Sequence, residues 1–535
     1  MPAGKRGVLG SVATALVVAV AGLLLIASSA SASAPYEKLA ANAPSYAAAA
    51  GSTCPPIKNK PNQISHVDYQ GVQHITYCVP ARVEPGQNVI RLNPTNLLPQ
   101  QPGYITRFDP ELTYRDGRVP RVDVVHLHHA VWVVNGSPQF AVGEEKTIVQ
   151  APRGFGWRTN PDDSWLLNDM LHDLVGQPSN VDIVWRIDFV PDTSPAADNI
   201  KPIHTKWMSV AGPQPREGIS SQIYPVFDAV KGWGTDGRYT YPDQANAKQL
   251  QFLSPNQTWT PSHPVTLLET AGHLHPGGLN TTLKVRRGNQ RNTLFTSKAH
   301  YYEPAGEVSW DVAMGATPRG WRVRVPAGDK LSVHATYDTS RASWYEVMGI
   351  MPVAVYNGTD VGGKGDFSNS IPQNQQLTHT HLQENRYHGG NPTPAYRNPL
   401  TMPDGPFTTG PVDIQGYLYS QGDLNAGVSP SSGRPPVIHA GQALEFTNLD
   451  DSANPSTWHT ITACKAPCNR DTGIAYPIAD GSRQFDSGQL GTDPPFGGPA
   501  TGEISWDTPK NLKAGTYTYF CRVHPFMRGS FRVKN

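Results

Sequence analysis

The closing stretch "GTYTYFCRVHPFMRGSFRVKN", residues 515–535, decides how the fold is read. Thr516, Tyr517, Thr518 and Tyr519 alternate hydroxyl and aromatic side chains. That is the period-two pattern of a strand with one face buried. Cys521 follows the strand, His524 stands three residues on and Met527 three after that, in a turn opened by Pro525. A cysteine ending a strand, with histidine and methionine in the turn behind it, sets thiolate, imidazole and thioether on one side of a single loop.

A second imidazole has to come from elsewhere. His459 in "STWHTITAC" (456–464) opens an alternating run after "VIHAGQALEFTNLDD" (437–451). The two segments read as strand, acidic turn and strand, which brings His459 to the same end of a sandwich as Cys521. Two histidines, a cysteine and a weak axial methionine make the ligand set of an electron-transfer (type 1, blue) copper. Structural zinc sites favour Cys, His and carboxylate over thioether. Coordination also accounts for an odd thiol in an oxidising compartment, since a bound metal holds it as thiolate.

That compartment is read from the other end. Residues 1–34 carry Lys5 and Arg6, an apolar run from Val8 to Ile26 and an Ala-Ser-Ala close. This is the pattern of a secretory signal peptide, so the protein is expected to be exported, and to meet a membrane only where that segment stays uncleaved. Export permits disulfides. Among the five cysteines, Cys54–Cys78 and Cys464–Cys468 are the expected local bridges, with Cys521 left over. Lys plus Arg number 44 against 43 for Asp plus Glu. A net charge of +1 gives no electrostatic case for a nucleic-acid partner.

Glycine and proline number 50 each in 535 residues, and capped helix-period runs are scarce while alternating β-branched and aromatic runs recur. Examples are "RVDVVHLHHAVWVV" (121–134), "NVDIVWRIDFVP" (180–191) and "GWRVRVPAGDKLSVHATYD" (320–338). The fold class expected is all-β: two tandem jelly-roll-like β-sandwiches followed by a Greek-key β-sandwich. The expected organisation is a signal peptide over 1–34, sandwiches over 35–215 and 216–356, a Gly/Pro/Asn-rich connector over 357–410 and a C-terminal unit over 411–535. Nucleophile triads and phosphate-binding glycine loops are not apparent.

The last roughly 120 residues resemble the cupredoxins, and "CRVHPFMRG" looks most like the short-loop amicyanin type. The resemblance implies that His459, Cys521, His524 and Met527 are copper ligands and that the unit passes single electrons to a redox partner protein or from a small reductant. The acidic turn before His459 and the "CKAPC" segment (464–468) are longer than a minimal cupredoxin needs, which suggests loops used for docking.

Upstream, "VVHLHHAVWVV" supplies His126, His128 and His129, and "ETAGHLHPGGL" supplies His273 and His275. On a strand, His-x-His sets both rings on one face. The order His-x-His-x-x-Gly, Tyr-Asp-Thr, then Glu-x-Met-Gly resembles the catalytic half of the copper type II monooxygenases acting on dopamine and on glycine-extended peptides. The likeness spans Asp123 to Tyr356. It implies a dioxygen-activating copper on His273, His275 and Met348, and a second, electron-storing copper on the pair His128 and His129. Where that family carries a third histidine this chain has Ile187, so the storing site is expected to be absent or completed by His172 or His126. A third cluster, "THTHLQENRYHGG", offers His379, His381 and His388 in the connector, a metal-binding composition without strand context. The expected function is electron transfer through a type 1 copper, coupled to a second copper upstream in a monooxygenase-like oxidoreductase. The alternatives are a carrier on a non-catalytic scaffold, or extracellular copper storage.

Overall fold

The computed structural model describes residues 63–535 except 69, 84–87, 121, 123, 174–177, 213–224, 303–306, 308–309, 341–343, 360, 378–395, 426–427, 454–456, 458, 465, 467, 469–484, 489, 493–501, 522–523 and 525–526. The expected signal segment, Cys54 and the histidines His379, His381 and His388 therefore lie outside the described residues. Among the described residues strands hold 53% and helices 4%, so the fold is all-β, built from packed sheets with no barrel among them. No helix among the described residues is long and apolar enough to cross a membrane.

Three cores follow one another along the chain. In the first, strands Gln73–Val83, Ser179–Pro191 and Gly103–Tyr114 face a four-stranded sheet ordered Asn88–Thr95, Trp165–Asp173, Val125–Val134, Ser137–Val142. Alternation sends Phe108, Trp132, Trp185 and Leu171 between the layers. Trp132 and Trp185 meet edge to face at 5.4 Å, the geometry aromatic quadrupoles favour. Ile187 belongs to this core. The second core, with Leu283, Val333, Tyr337 and Val353, packs under a sheet that includes Lys330–Asp338, Gly278–Arg287 and Gln290–Tyr301.

These two cores share a sheet. Strand Lys201–Ser209 runs parallel to Phe155–Thr159 on one side and antiparallel to Gly349–Tyr356 on the other. The backbone ladder thus passes from one sandwich into the next. The boundary expected near 215 falls within 213–224, outside the described residues. Parts of the connector add to sheets: Lys364–Gly365 extends Val323–Val325, and Gln376–Leu377 extends Val312–Ala316.

The third core lies between two four-stranded sheets. One runs Leu418–Tyr419, Val412–Gln415, Glu445–Asn448, Ser505–Asp507; the other runs Val437–His439, Arg528–Lys534, Gly515–Phe520, Thr462–Cys464. Tyr519, Phe446 and Phe531 fill it. Tyr519 pairs with Gly529 across the ladder, and a Cβ at that glycine would stand 2.4 Å from the Tyr519 ring. Glycine there lets the aromatic ring lie flat over its neighbour strand, which fixes the end of Gly515–Phe520 from which Cys521 emerges. Cys464 and Cys468 are joined in a disulfide, and Cys78 is disulfide-bonded as well.

Candidate metal centre

Cys521, the first residue beyond strand Gly515–Phe520, is fully buried and is the free cysteine among the described residues. Its amide bonds Met527 O at 3.0 Å, and the Met527 amide bonds His524 O at 2.8 Å. These two bonds close the loop, so spacing in sequence becomes proximity in space. His459 is held from a separate segment by paired amide bonds with Leu490. Cys521 Sγ stands 3.6 Å from His524 Nδ1 and 3.9 Å from His459 Nδ1, and the two nitrogens are 3.2 Å apart. Met527 is buried in the same core as Cys521.

Those separations test whether one ion fits. Metal bonds of about 2.0 Å to nitrogen and about 2.3 Å to sulfur leave two ligand atoms roughly 3.2–3.9 Å apart for bond angles between about 105° and 130°. All three distances fall in that window. Among the described residues, this is the group of three metal-binding side chains whose ligand atoms all come within 4.8 Å of one another.

The surroundings prepare the ligands. His459 Nε2 donates to Asp450 Oδ2 at 3.0 Å, which leaves the Nδ1 lone pair facing Cys521 and His524. Asp450 is fixed in turn by the amides of Gly416 at 2.6 Å and Tyr417 at 3.1 Å. Cys521 Sγ accepts the amides of Thr460 at 3.3 Å and His524 at 3.4 Å. Burial raises the Cys521 pKa, but the His524 charge and the bonds to both imidazoles outweigh it and hold the thiol well below its ordinary range. For His459, burial pushes downward, and the Asp450 and Cys521 bonds reverse it to a raised pKa. A thiolate beside a fixed imidazole is the protonation pattern a metal requires.

Tyr417 covers this group. Its ring lies 5.6 Å from His459 and 5.2 Å from His524. Gly416 and Tyr417 have φ of 59° and 61°, the pattern of a two-residue hairpin turn with both central residues left-handed. A tyrosine there costs about 1–2 kcal/mol relative to glycine. Neither Tyr417 nor Asp450 was a sequence expectation for the centre. Within the acidic turn Asp450 points inward to His459, and Asp451 accepts from Thr492. The hydrogen bond from His459 to Asp450 is the missing signal, and it exists only after folding.

The upstream histidines gather in a second place. His128 stands where strand Val125–Val134 slips register against Trp165–Asp173, between the pairs Leu127↔Leu171 and His129↔Met170. Before this bulge Val125 and Leu127 face the core; after it Ala130, Trp132 and Val134 do. The slip lets His126, His128 and His129 all share the outer face. Strand pairing sets His172 opposite His126. From the second sandwich, His275 and Trp310 meet His128 at ring separations of 5.0 and 4.8 Å. His128 and His172 are 4.7 Å apart, His126 and His172 5.0 Å, His273 and His275 5.5 Å.

Burial holds His126, His128, His129 and His172 neutral. It lowers His126 to about 3 and His129 to about 4, and pushes His128 and His172 well below the usual value, with the neighbouring imidazoles adding to the effect. His129 Nε2 bonds Asn168 at 3.2 Å and His273 Nδ1 bonds Glu145 at 3.1 Å. A Cβ at Gly143 would stand 2.7 Å from the His273 ring, so glycine makes room for it. Met348, expected beside His273 and His275, is buried with Val226 and Ile350. His128 and His129, expected as a pair, present their Nδ1 atoms 3.1 Å apart.

No family model and no curated protein matches the sequence. Among solved structures, a copper-containing nitrite reductase from Thermus scotoductus is similar at 13% identity over 52% of this chain and 59% of its own length, with a TM-score of 0.14. The PBCV-1 virus capsid matches at 9% identity over 59% of this chain and 99% of that one (TM-score 0.23), and the STIV MCP at 10% over 53% and 97% (TM-score 0.21). Scores this low carry no argument. The nitrite reductase match spans less than two thirds of that enzyme's length.

Proposed function

We propose that this is an exported copper protein whose C-terminal unit exchanges single electrons through a type 1 copper held by His459, Cys521, His524 and Met527. The convergence of His459 Nδ1, Cys521 Sγ and His524 Nδ1 within 3.9 Å of one another supports the reading. Copper in this donor set supplies a one-electron couple. The chain's own residues do the rest. Asp450 keeps the His459 proton on Nε2, and the Thr460 and His524 amides hold the sulfur as an anion. Burial of all four ligands excludes water and fixes their positions, so little rearrangement accompanies a change of charge. Tyr417 shields both imidazoles.

The reading is tested by adding Cu(II) to metal-free full-length protein. An intense blue absorption that Cys521→Ser abolishes is expected, because the colour is sulfur-to-copper charge transfer. Colourless protein that has taken up copper would overturn it.

A further inference from the structure

The ligands proposed for the Cys521 centre are closed off from water: His459 and Cys521 are 0% exposed, His524 1% and Met527 2%. An electron passes between molecules only where donor and acceptor orbitals come close, because electronic coupling falls steeply with the gap between them. No ligand here offers an edge at the surface for that approach. The route outward has to pass through whatever covers the ligands.

Among the described residues, the aromatic ring set against both imidazoles is that of Tyr417, 5.2 Å from His524 and 5.6 Å from His459, edge to face with each. Tyr417 packs on the core yet is only half-buried, and its neighbours at the hairpin tip, Gly416 and Leu418, are exposed. It therefore reaches from the ligands to the surface. A second connection runs through hydrogen bonds: the Tyr417 amide donates to Asp450 Oδ2 at 3.1 Å, and His459 Nε2 donates to the same oxygen at 3.0 Å. One atom separates the Tyr417 amide from a ligand ring.

Turn geometry alone would not select this residue. Gly416 and Tyr417 join Val412–Gln415 to Leu418–Tyr419, with Ile414 opposite Tyr419 and Gln415 opposite Leu418. Both central residues have positive φ, 59° and 61°, a conformation that asparagine and glycine fill with least strain. Strained backbone persists where the side chain it carries has a task.

We propose that Tyr417 is the port through which electrons enter and leave the Cys521 centre, its ring carrying the coupling from the two imidazoles to a partner at the hairpin tip. The proposal rests on the blue-copper reading. When two copies meet tip to tip, one electron passes from the centre of the first, which is oxidised, to the centre of the second, which is reduced. The phenol keeps its proton and its electrons, and no bond is made or broken.

The test measures electron self-exchange by NMR line broadening in mixtures of reduced and oxidised copper-loaded full-length protein. Self-exchange has no driving force, so a shifted potential cannot imitate a loss of coupling. Tyr417→Asn removes the ring and suits the left-handed turn; it should keep the blue band and slow the exchange by roughly tenfold or more, since changes at one contact face move a bimolecular rate by about one to three decades. Tyr417→Phe keeps the ring and should keep the parent rate. Phe407→Ala is the control. Phe407 is 59% exposed and stacks on His439, which pairs with Lys534 at the end of strand Arg528–Lys534 far from Cys521. Its loss should leave the rate unchanged. In metal-free protein the His459 and His524 ring protons should shift in Tyr417→Asn and hold in Tyr417→Phe, because the aromatic ring current reaches both imidazoles. Blue protein whose exchange is as fast in Tyr417→Asn as in the parent, or slows equally in Tyr417→Phe or Phe407→Ala, overturns the port alone, as do unmoved imidazole protons. Copper-loaded parent protein that stays colourless overturns the centre and the port with it.

Discussion

Asp450→Asn isolates what the inward-facing acidic turn contributes. Asp450 receives three hydrogen bonds, from the Gly416 and Tyr417 amides and from His459 Nε2. Asparagine keeps the shape but has one oxygen. If that oxygen stays with the Gly416 amide at 2.6 Å, the amide nitrogen is turned toward His459 and donor meets donor. The conflict is relieved by moving the His459 proton to Nδ1, the atom 3.9 Å from Cys521 Sγ and 3.2 Å from His524 Nδ1. A protonated Nδ1 cannot bind metal, so each binding event must first restore the other tautomer. Loss of such an orienting partner weakens metal affinity about 10–100-fold, or about 1.4–2.7 kcal/mol. Competition for copper against a chelator of known affinity measures this, with the blue band at saturation largely unchanged. Nitrogen-15 NMR of the metal-free protein should show the proton on Nε2 in the parent and on Nδ1 in the variant. Copper affinity within twofold of the parent would refute the reasoning.

Three further outcomes are expected. Tyr417→Gly relaxes a left-handed turn, a gain of about 1–2 kcal/mol, yet uncovers His459 and His524; water reaching the site should lower the copper reduction potential in voltammetry, and an unchanged potential would remove Tyr417 as a shield. Gly143→Ala puts a methyl 2.6 Å from Glu145 Oε2 and 2.7 Å from the His273 ring, so it should destabilise the upstream unit by about 1–3 kcal/mol in urea titration while the blue band persists; an unshifted midpoint counts against the close approach. Glu269 is raised to about 8, chiefly by burial. The unfolded chain gives up this proton near the ordinary glutamate value, about 4.3, and the folded chain keeps it until about 8. Stability therefore falls as pH rises through that interval. Glu269→Gln should flatten the fall, seen as melting temperatures from pH 5 to 8; parallel profiles in the two proteins would show that Glu269 is not the cause.

What the sequence made legible was local. The Cys521, His524 and Met527 spacing announced a ligand loop because all three sit within one turn, and the alternation in 121–134 and 320–338 announced strands. The pairing of His126 with His128 followed from period two alone. His129 joins them only through the bulge, which depends on how strand Trp165–Asp173 pairs alongside, and no property of "HLHH" specifies that. His172 was an alternative for a missing ligand; its place opposite His126 is a matter of register. Asp450 and Glu145 carry the clearest lesson. Both look like surface acids in sequence, and both are buried by the imidazoles they orient. Asp450 lies nine residues from its histidine and Glu145 lies 128 residues from its own.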